Sequence, residues 1–316
     1  SETLTVLVPA SLTQSEVAEI RAAAPQAEPL PCGEPDEWMA RAPRAEVLFL
    51  GPCTRELFLA APRLRWIQVG SAGVERYLWP ELLESSVLLT SAKGVFDVPI
   101  AEHLLAMVLA HARRLPLYRD QQSRRKWHRE ESRDVQGAVL CILGLGCIGR
   151  ELARRASALG MEVHGLRRRR REAPEGVTRV WPAEGLHEML ALADYVAVTL
   201  PLTPATRGRV GRAELQAMKP GAFLMNIGRG AVIDEEALVD AIRTGRLSGA
   251  GLDVFQQEPL PPSSPLWDLP QVILTPHVSG SSPGNHRRTL DLFLDNLRRF
   301  TQGEELRNLV DKEAGY

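Results

Sequence analysis

The chain of 316 residues is poor in lysine, cysteine and net charge, and it has no long apolar run. A formal net charge of -1 excludes the basic excess that general nucleic-acid binding requires. Lysine occurs only at Lys93, Lys126, Lys219 and Lys312, among 38 basic residues. Arginine is therefore the default cation of this chain, and an arginine cluster needs separate justification before it counts as a site. The four cysteines, Cys32, Cys53, Cys141 and Cys147, form neither a CxxC pair nor a metal-ligand spacing. They fit reduced thiols, and no bound metal is expected. No uninterrupted apolar stretch approaches the ~18 residues of a membrane span. Residues 1–9 lack the basic start and apolar stretch of a secretion signal and read as a strand. A cytoplasmic location is the expectation.

What is present is an alternation of short apolar runs with longer amphipathic segments. The length favours two domains at roughly 100–200 residues each, and 44% apolar residues suffice for a substantial core. Strands are expected at 4–8, 47–50, 66–69 and 87–89, then at 139–143, 162–166, 195–199, 222–226, 249–253 and 272–274. Helices are expected at 14–23, capped by Thr13, and at 56–60, 99–115 and 287–300. Strands alternating with helices indicate βαβ units and parallel sheets, and continuous apolar strands belong to sheets covered on both faces. The α/β pattern predicts two doubly wound parallel-sheet domains. One comprises 1–97 and 281–316 and is discontinuous, because the last helix follows the last strand of the other domain, 98–280. The charged stretch 119–133, with Trp127, follows the long helix.

Residues 139–143 run into Gly144-Leu-Gly-Cys-Ile-Gly149, and a helical pattern follows over 150–159. A strand before G-x-G-x-x-G and a helix after it make this a dinucleotide fingerprint. Gly144 permits the turn, Gly146 lets the backbone approach a pyrophosphate, and Gly149 allows close helix–strand packing. The phosphates would sit at the helix N-terminus, beside Cys147 and Ile148, where free N–H groups favour negative charge. The next strand ends where an acidic residue normally meets the adenosine ribose; here the position holds Arg167, followed by Arg168. A guanidinium grips a ribose phosphate that a carboxylate would repel. NADP(H) is therefore expected to be preferred, with NAD(H) possible.

Three further segments follow apolar strands: Asn226-Ile-Gly-Arg-Gly230, Leu252 to Pro259 with Glu258, and Thr275-Pro-His277. Ligands of open α/β sheets collect beyond the carboxyl ends of strands. Together with Leu200-Pro-Leu-Thr-Pro-Ala-Thr206, these motifs resemble the NAD(P)-dependent D-isomer-specific 2-hydroxyacid dehydrogenase family, most closely its glyoxylate/hydroxypyruvate reductase-like members. The resemblance is strongest over 139–280. It implies a Rossmann cofactor domain, a smaller flavodoxin-like substrate domain, a small 2-oxo acid substrate and a homodimer formed through the cofactor domain. The helix 99–115 and Trp127 are candidate contacts of that dimer.

The resemblance assigns catalysis to Arg229, Glu258 and His277. His277, as imidazolium, would protonate the carbonyl oxygen while hydride reaches the carbon. Glu258, bonded to the other ring nitrogen, would orient it and favour its charged form. Arg229 would hold the substrate's carboxylate and carbonyl oxygens in a planar fork. The turn at Ala72 and Gly73 corresponds to backbone donors for the substrate carboxylate. Leu200, Pro201, Thr206, Ile227, Gly228, Asp253 and Gly280, with Arg229 and His277, match cofactor-lining positions, and Asp253 is expected to face the nicotinamide carboxamide. Glu102 and His103 fit the entry into the long helix and read as interdomain structure. Thr199 and Phe96-Asp97 depart from the family pattern, which bears on the substrate more than on the reaction. A formate dehydrogenase would carry glutamine in place of Glu258. A phosphite dehydrogenase and a dinucleotide-sensing corepressor are the other readings; against the corepressor, the chain ends soon after Phe300 without a regulatory tail.

Overall fold

The computed structural model describes residues 3–167, 172–313 and 315. The chain divides into two compact units, Ser1–Phe96 with Ser282–Tyr316, and Asp97–Ser281.

In the first unit the strands are β1 (Leu4–Pro9), β2 (Ala27–Cys32), β3 (Val47–Phe49), β4 (Trp66–Gln68) and β5 (Leu88–Thr90). The intervening helices are α1 (Gln14–Ala23), α2 (Pro35–Arg41), α3 (Arg55–Leu59) and α4 (Pro80–Glu84). Thr13 caps α1 through a reciprocal capping box with Glu16, so the helix starts where the sequence signals it. The sheet is parallel throughout, in the order β2-β1-β3-β4-β5. That is the flavodoxin-like order. Both faces are covered: Leu48 points into one buried cluster, while its neighbours Val47 and Phe49 point into the other.

The second unit contains α5 (Asp97–Ala112), α6 (Leu115–Ser123), β6 (Val139–Leu143), α7 (Cys147–Ala158), β7 (Glu162–Leu166), β8 (Arg179–Trp181), α8 (Leu186–Leu192), β9 (Tyr195–Val198), α9 (Arg212–Ala217), β10 (Phe223–Asn226), α10 (Glu235–Arg243), β11 (Gly249–Leu252) and β12 (Val272–Leu274). Its parallel sheet runs β12-β11-β10-β9-β6-β7-β8. Counted from β6, this is the Rossmann order with one strand added beyond the sixth, and β6 and β9 flank the switch point.

The last helix, α11 (Asn285–Gln302), returns to the first unit. Its Phe293 stacks on Phe49, with centroids 3.9 Å apart, and on Trp66 at 5.3 Å. Burying such aromatic area is what recruits a distant segment to the first sheet.

The expected single helix 99–115 is two helices. Arg114 adopts a left-handed conformation with φ of 53° and Pro116 lies in the first turn of α6, so the chain breaks where the apolar periodicity runs on. The charged stretch 119–133 begins inside α6. Among the described residues, no helix is long and apolar enough to cross a membrane.

Candidate active site

The three segments singled out by their chemistry lie on neighbouring strands. β10, β11 and β12 are adjacent in the sheet, so Arg229, Glu258 and His277 all follow the carboxyl ends of contiguous strands. Parallel pairing makes those ends coincide, as Asn226 opposite Leu252 and Leu252 opposite Leu274 show.

Arg229 sits in a turn shaped by Asn226, which is buried. The Asn226 side chain accepts from the amide of Gly228 at 3.0 Å and donates to the carbonyl of Arg229 at 3.1 Å. The Arg229 guanidinium also donates to the carbonyl of Gly228 at 2.9 Å. Gly230 has to be glycine, because a Cβ there would meet the carbonyl carbon of Phe255 at 1.9 Å. Gly228 likewise leaves room for the carbonyl oxygen of Leu200, 2.5 Å from where its Cβ would be.

Glu258 and His277 form a hydrogen-bonded pair, with 2.7 Å between Oε2 and Nδ1. The other carboxylate oxygen of Glu258 accepts from the amide of Phe255 at 3.0 Å. An ionised carboxylate accepts only, so Nδ1 carries the shared proton and Nε2 is the nitrogen left to exchange one. The imidazole is 52% exposed and the carboxylate 35%, so the pair can reach a small molecule. His277 is also one of the non-glycine residues with positive φ, at 54°. Such a conformation costs about 1–3 kcal/mol and persists where the surroundings over-determine it. The amide of His277 donates to the carbonyl of Asp253 at 2.9 Å.

Asp253 is fully buried, and its carboxylate accepts from Thr275, Val278 and Ser279. Gly280 follows in the same loop. Ala72 and Gly73 lie in the first unit, in the turn after β4, where the hydroxyl of Ser71 donates to the carbonyl of Gly73 at 2.7 Å.

The glycine turn joins β6 to α7. Gly144 has φ of 111°, and a Cβ on Gly149 would come within 2.1 Å of the Gly144 carbonyl oxygen. These two glycines are required by the protein's own packing. Gly146 is different: a Cβ there would meet nothing within 4 Å, and its φ is an ordinary -72°. No side chain caps α7 at Gly146, which leaves the first-turn amides of Cys147 and Ile148 to an outside acceptor. The open space at Gly146 beside these donors fits the pyrophosphate of a dinucleotide.

Thr199 fastens this turn, donating to the carbonyl of Gly144 at 2.7 Å. Arg167 directly follows β7 and donates to the carbonyl of Leu145 at 3.0 Å, so its guanidinium is held against the same turn. Arg168 lies outside the described residues. Leu200 and Pro201 follow β9, and Thr206 donates to the Pro201 carbonyl at 2.6 Å, closing that loop. Ile227 is buried between β10 and the Arg229 turn.

The positioning groups Asn226, Thr199 and Phe255 were not singled out for these roles by sequence. Only Asn226 carried a local signal, the tendency of asparagine at a strand end to bond its own following backbone.

A family model described as "D-isomer specific 2-hydroxyacid dehydrogenase, NAD binding domain" matches residues 105–279. The chain is 35% identical over 276 residues to a glyoxylate reductase of Korarchaeum cryptofilum, covering 84% of this chain and 82% of the relative. It is 36% identical over 270 residues to a glyoxylate/hydroxypyruvate reductase B of Pectobacterium carotovorum, covering 84% of each. Among solved structures, the NADPH-dependent glyoxylate/hydroxypyruvate reductase of Sinorhizobium meliloti in complex with NADP and sulfate superposes with a TM-score of 0.84. It is 30% identical, and the match covers 99% of this chain and 100% of that one.

Proposed function

Because the chain belongs to the D-isomer specific 2-hydroxyacid dehydrogenase family, we propose that it reduces a small 2-oxo acid of the glyoxylate or hydroxypyruvate class with NADPH. The Glu258–His277 pair, at the end of a sheet whose switch point carries the glycine turn, carries this reading. The dihydronicotinamide, when bound, supplies the hydride.

Nε2 of His277 gives its proton to the carbonyl oxygen as negative charge gathers there. Glu258 holds the ring in the one orientation that leaves Nε2 free to do so and stabilises the imidazolium. Arg229 pairs with the carboxylate and carbonyl oxygens, and its planar fork sets the face of the ketone that is presented. The amides of Ala72 and Gly73 are assigned to the substrate carboxylate on the family resemblance. The cofactor is assigned to Gly144, Gly146, Cys147, Ile148 and Gly149 at the pyrophosphate. Leu200, Pro201, Thr206, Ile227, Gly228, Asp253 and Gly280 are assigned to its remaining length. The preference for NADP(H) over NAD(H) rests on Arg167 and Arg168 in place of an acid, and the NADP complex of the Sinorhizobium relative supports it.

The protein is proposed to act in the cytoplasm as a homodimer formed through the 97–281 unit. The side chain of Trp127, 93% exposed, is the strongest candidate for a contact that buries area. Gel filtration of wild type and Trp127→Ala tests that contact.

Steady-state kinetics with glyoxylate, hydroxypyruvate and bulkier 2-oxo acids, each with NADPH and NADH, tests the reaction. Oxidation of NADPH is expected to be fastest with the smallest 2-oxo acids. Tight NADPH binding without turnover of any 2-oxo acid would refute the assignment and leave a dinucleotide-binding protein.

A further inference from the structure

Among the described residues of the second unit, Asp253 is the one carboxylate with no exposed surface. A carboxylate withdrawn from water must meet donors at both oxygens. Here Oδ1 accepts from the Thr275 hydroxyl at 2.6 Å and from the Val278 amide at 2.9 Å, and Oδ2 accepts from the Ser279 amide at 2.9 Å. All three donors lie in the segment that carries His277, and they bracket it on both sides. The Asp253 carbonyl takes the amide of His277 itself. One residue thus holds four groups around the left-handed turn at His277.

The network extends one residue further. The Thr275 hydroxyl has only one proton, and Asp253 takes it. Toward His103 the same oxygen is therefore an acceptor, and Nε2 of His103, 3.0 Å away, is the donor. That nitrogen lies 4.0 Å from Oδ1 of Asp253. His103 is on α5, a helix of 16 residues, so the chain of bonds runs from a long helix through Thr275 to Asp253 and on to the amides after His277.

We propose that His103 and Thr275 are positioning residues for proton transfer, orienting the Asp253 carboxylate that holds His277 in the turn presenting its ring to Glu258. This rests on His277 as the proton-transfer residue. It gives His103 a role other than the interdomain one expected from sequence, and Asp253 a role beyond any contact with the cofactor.

The test compares Thr275→Val, which removes only the hydroxyl, with Thr275→Ser, which keeps it. NADPH and glyoxylate kinetics, NADPH affinity by fluorescence titration, and amide exchange at 277–279 are measured in the full-length protein. Thr275→Val should lose between about tenfold and 100-fold in kcat, with KM for glyoxylate and Kd for NADPH changed less than about threefold. Exchange at 278 and 279 should quicken, and Thr275→Ser should recover most of kcat. His103→Leu should show the same split, with His103→Gln, which retains a donor, recovering it; this pair carries the test if Thr275→Val does not fold. A wild-type kcat in Thr275→Val or in His103→Leu overturns the proposal, as does a loss confined to NADPH affinity. Full turnover by His277→Ala would instead overturn the reading beneath it.

Discussion

The carboxylate of Glu258 stands 2.7 Å from Nδ1 of His277 while its second oxygen is held by the amide of Phe255, so the ring is oriented by a group that is itself oriented. A His277→Ala variant is expected to lose roughly 10²–10⁴-fold in kcat. Glu258→Gln keeps the shape but removes the charge proposed to support the imidazolium, and its loss should be smaller. In the proposed mechanism reduction needs the protonated ring and oxidation the neutral one, so rates in the two directions should respond to rising pH in opposite senses. Stopped-flow measurement of both directions across pH checks this, and parallel profiles would remove His277 from the proton transfer.

Gly146 and Gly149 make a paired experiment. Alanine at Gly149 forces a methyl group to within 2.1 Å of the Gly144 carbonyl, and the helix must shift. Alanine at Gly146 meets no protein atom and keeps an ordinary φ, so the fold should tolerate it. Its methyl group would instead occupy the space where a pyrophosphate approaches. Thermal melts should show a lower midpoint for Gly149→Ala and an unchanged one for Gly146→Ala. NADPH titration should show Gly146→Ala binding at least about tenfold more weakly. Wild-type affinity in Gly146→Ala would mean that the phosphates lie elsewhere.

The glycine turn, most of the sheet strands and the three strand-end segments were legible because each is a local pattern: a run of apolar residues followed by a turn with its chemistry. What escaped was set by neighbours far away in sequence. β2 carries Pro29 and Pro31, which argue against a strand, but it lies at the sheet edge, where the missing donors face outward. β8 is an edge strand of three residues, too short for alternation to register. Leu115 continues the apolar period of α5, yet it is 54% exposed because the chain turns at Arg114. Thr199 was visible only as a departure from the family pattern. In the fold it ties the glycine turn to β9, a relation between residues 55 positions apart. The His103–Thr275 bond spans 172 positions, and no window of sequence contains it.

On the proposed preference for NADP(H), cofactor choice should turn on Arg167. Its guanidinium is already braced by the Leu145 carbonyl, so little rotamer freedom remains to be lost when it meets a ribose phosphate. Arg167→Asp combined with Arg168→Ala should weaken use of NADPH and improve use of NADH. The ratio of kcat/KM values should move by about tenfold or more, since hydrogen bonds to charged groups contribute roughly 1.5–3 kcal/mol each. An unchanged ratio would assign the preference to other residues.

His111 gives the second unit a built-in sensitivity to acid. The ring stacks on Phe223 with centroids 4.1 Å apart, and its nitrogens lie 3.0 Å from the Ser248 hydroxyl and 3.4 Å from the Tyr195 hydroxyl. Burial, aided by the Arg133 and Arg114 guanidiniums, pushes its pKa down to about 4. The folded state therefore refuses a proton that the unfolded chain accepts near pH 6.5. Between those values the unfolded state binds more protons, so stability rises with pH across that window and is lost as pH falls through it. With allowance for the ring's partial exposure, lowering the pH from 7 to 5 should cost about 1–2 kcal/mol at this site. His111→Gln retains a donor and an acceptor for Ser248 and Tyr195 but does not titrate. Its unfolding midpoint in urea should fall less than that of the wild type between pH 7 and pH 5. Equal falls would show that His111 takes up its proton in the folded protein as readily as in the unfolded chain, and would return the acid sensitivity to other groups.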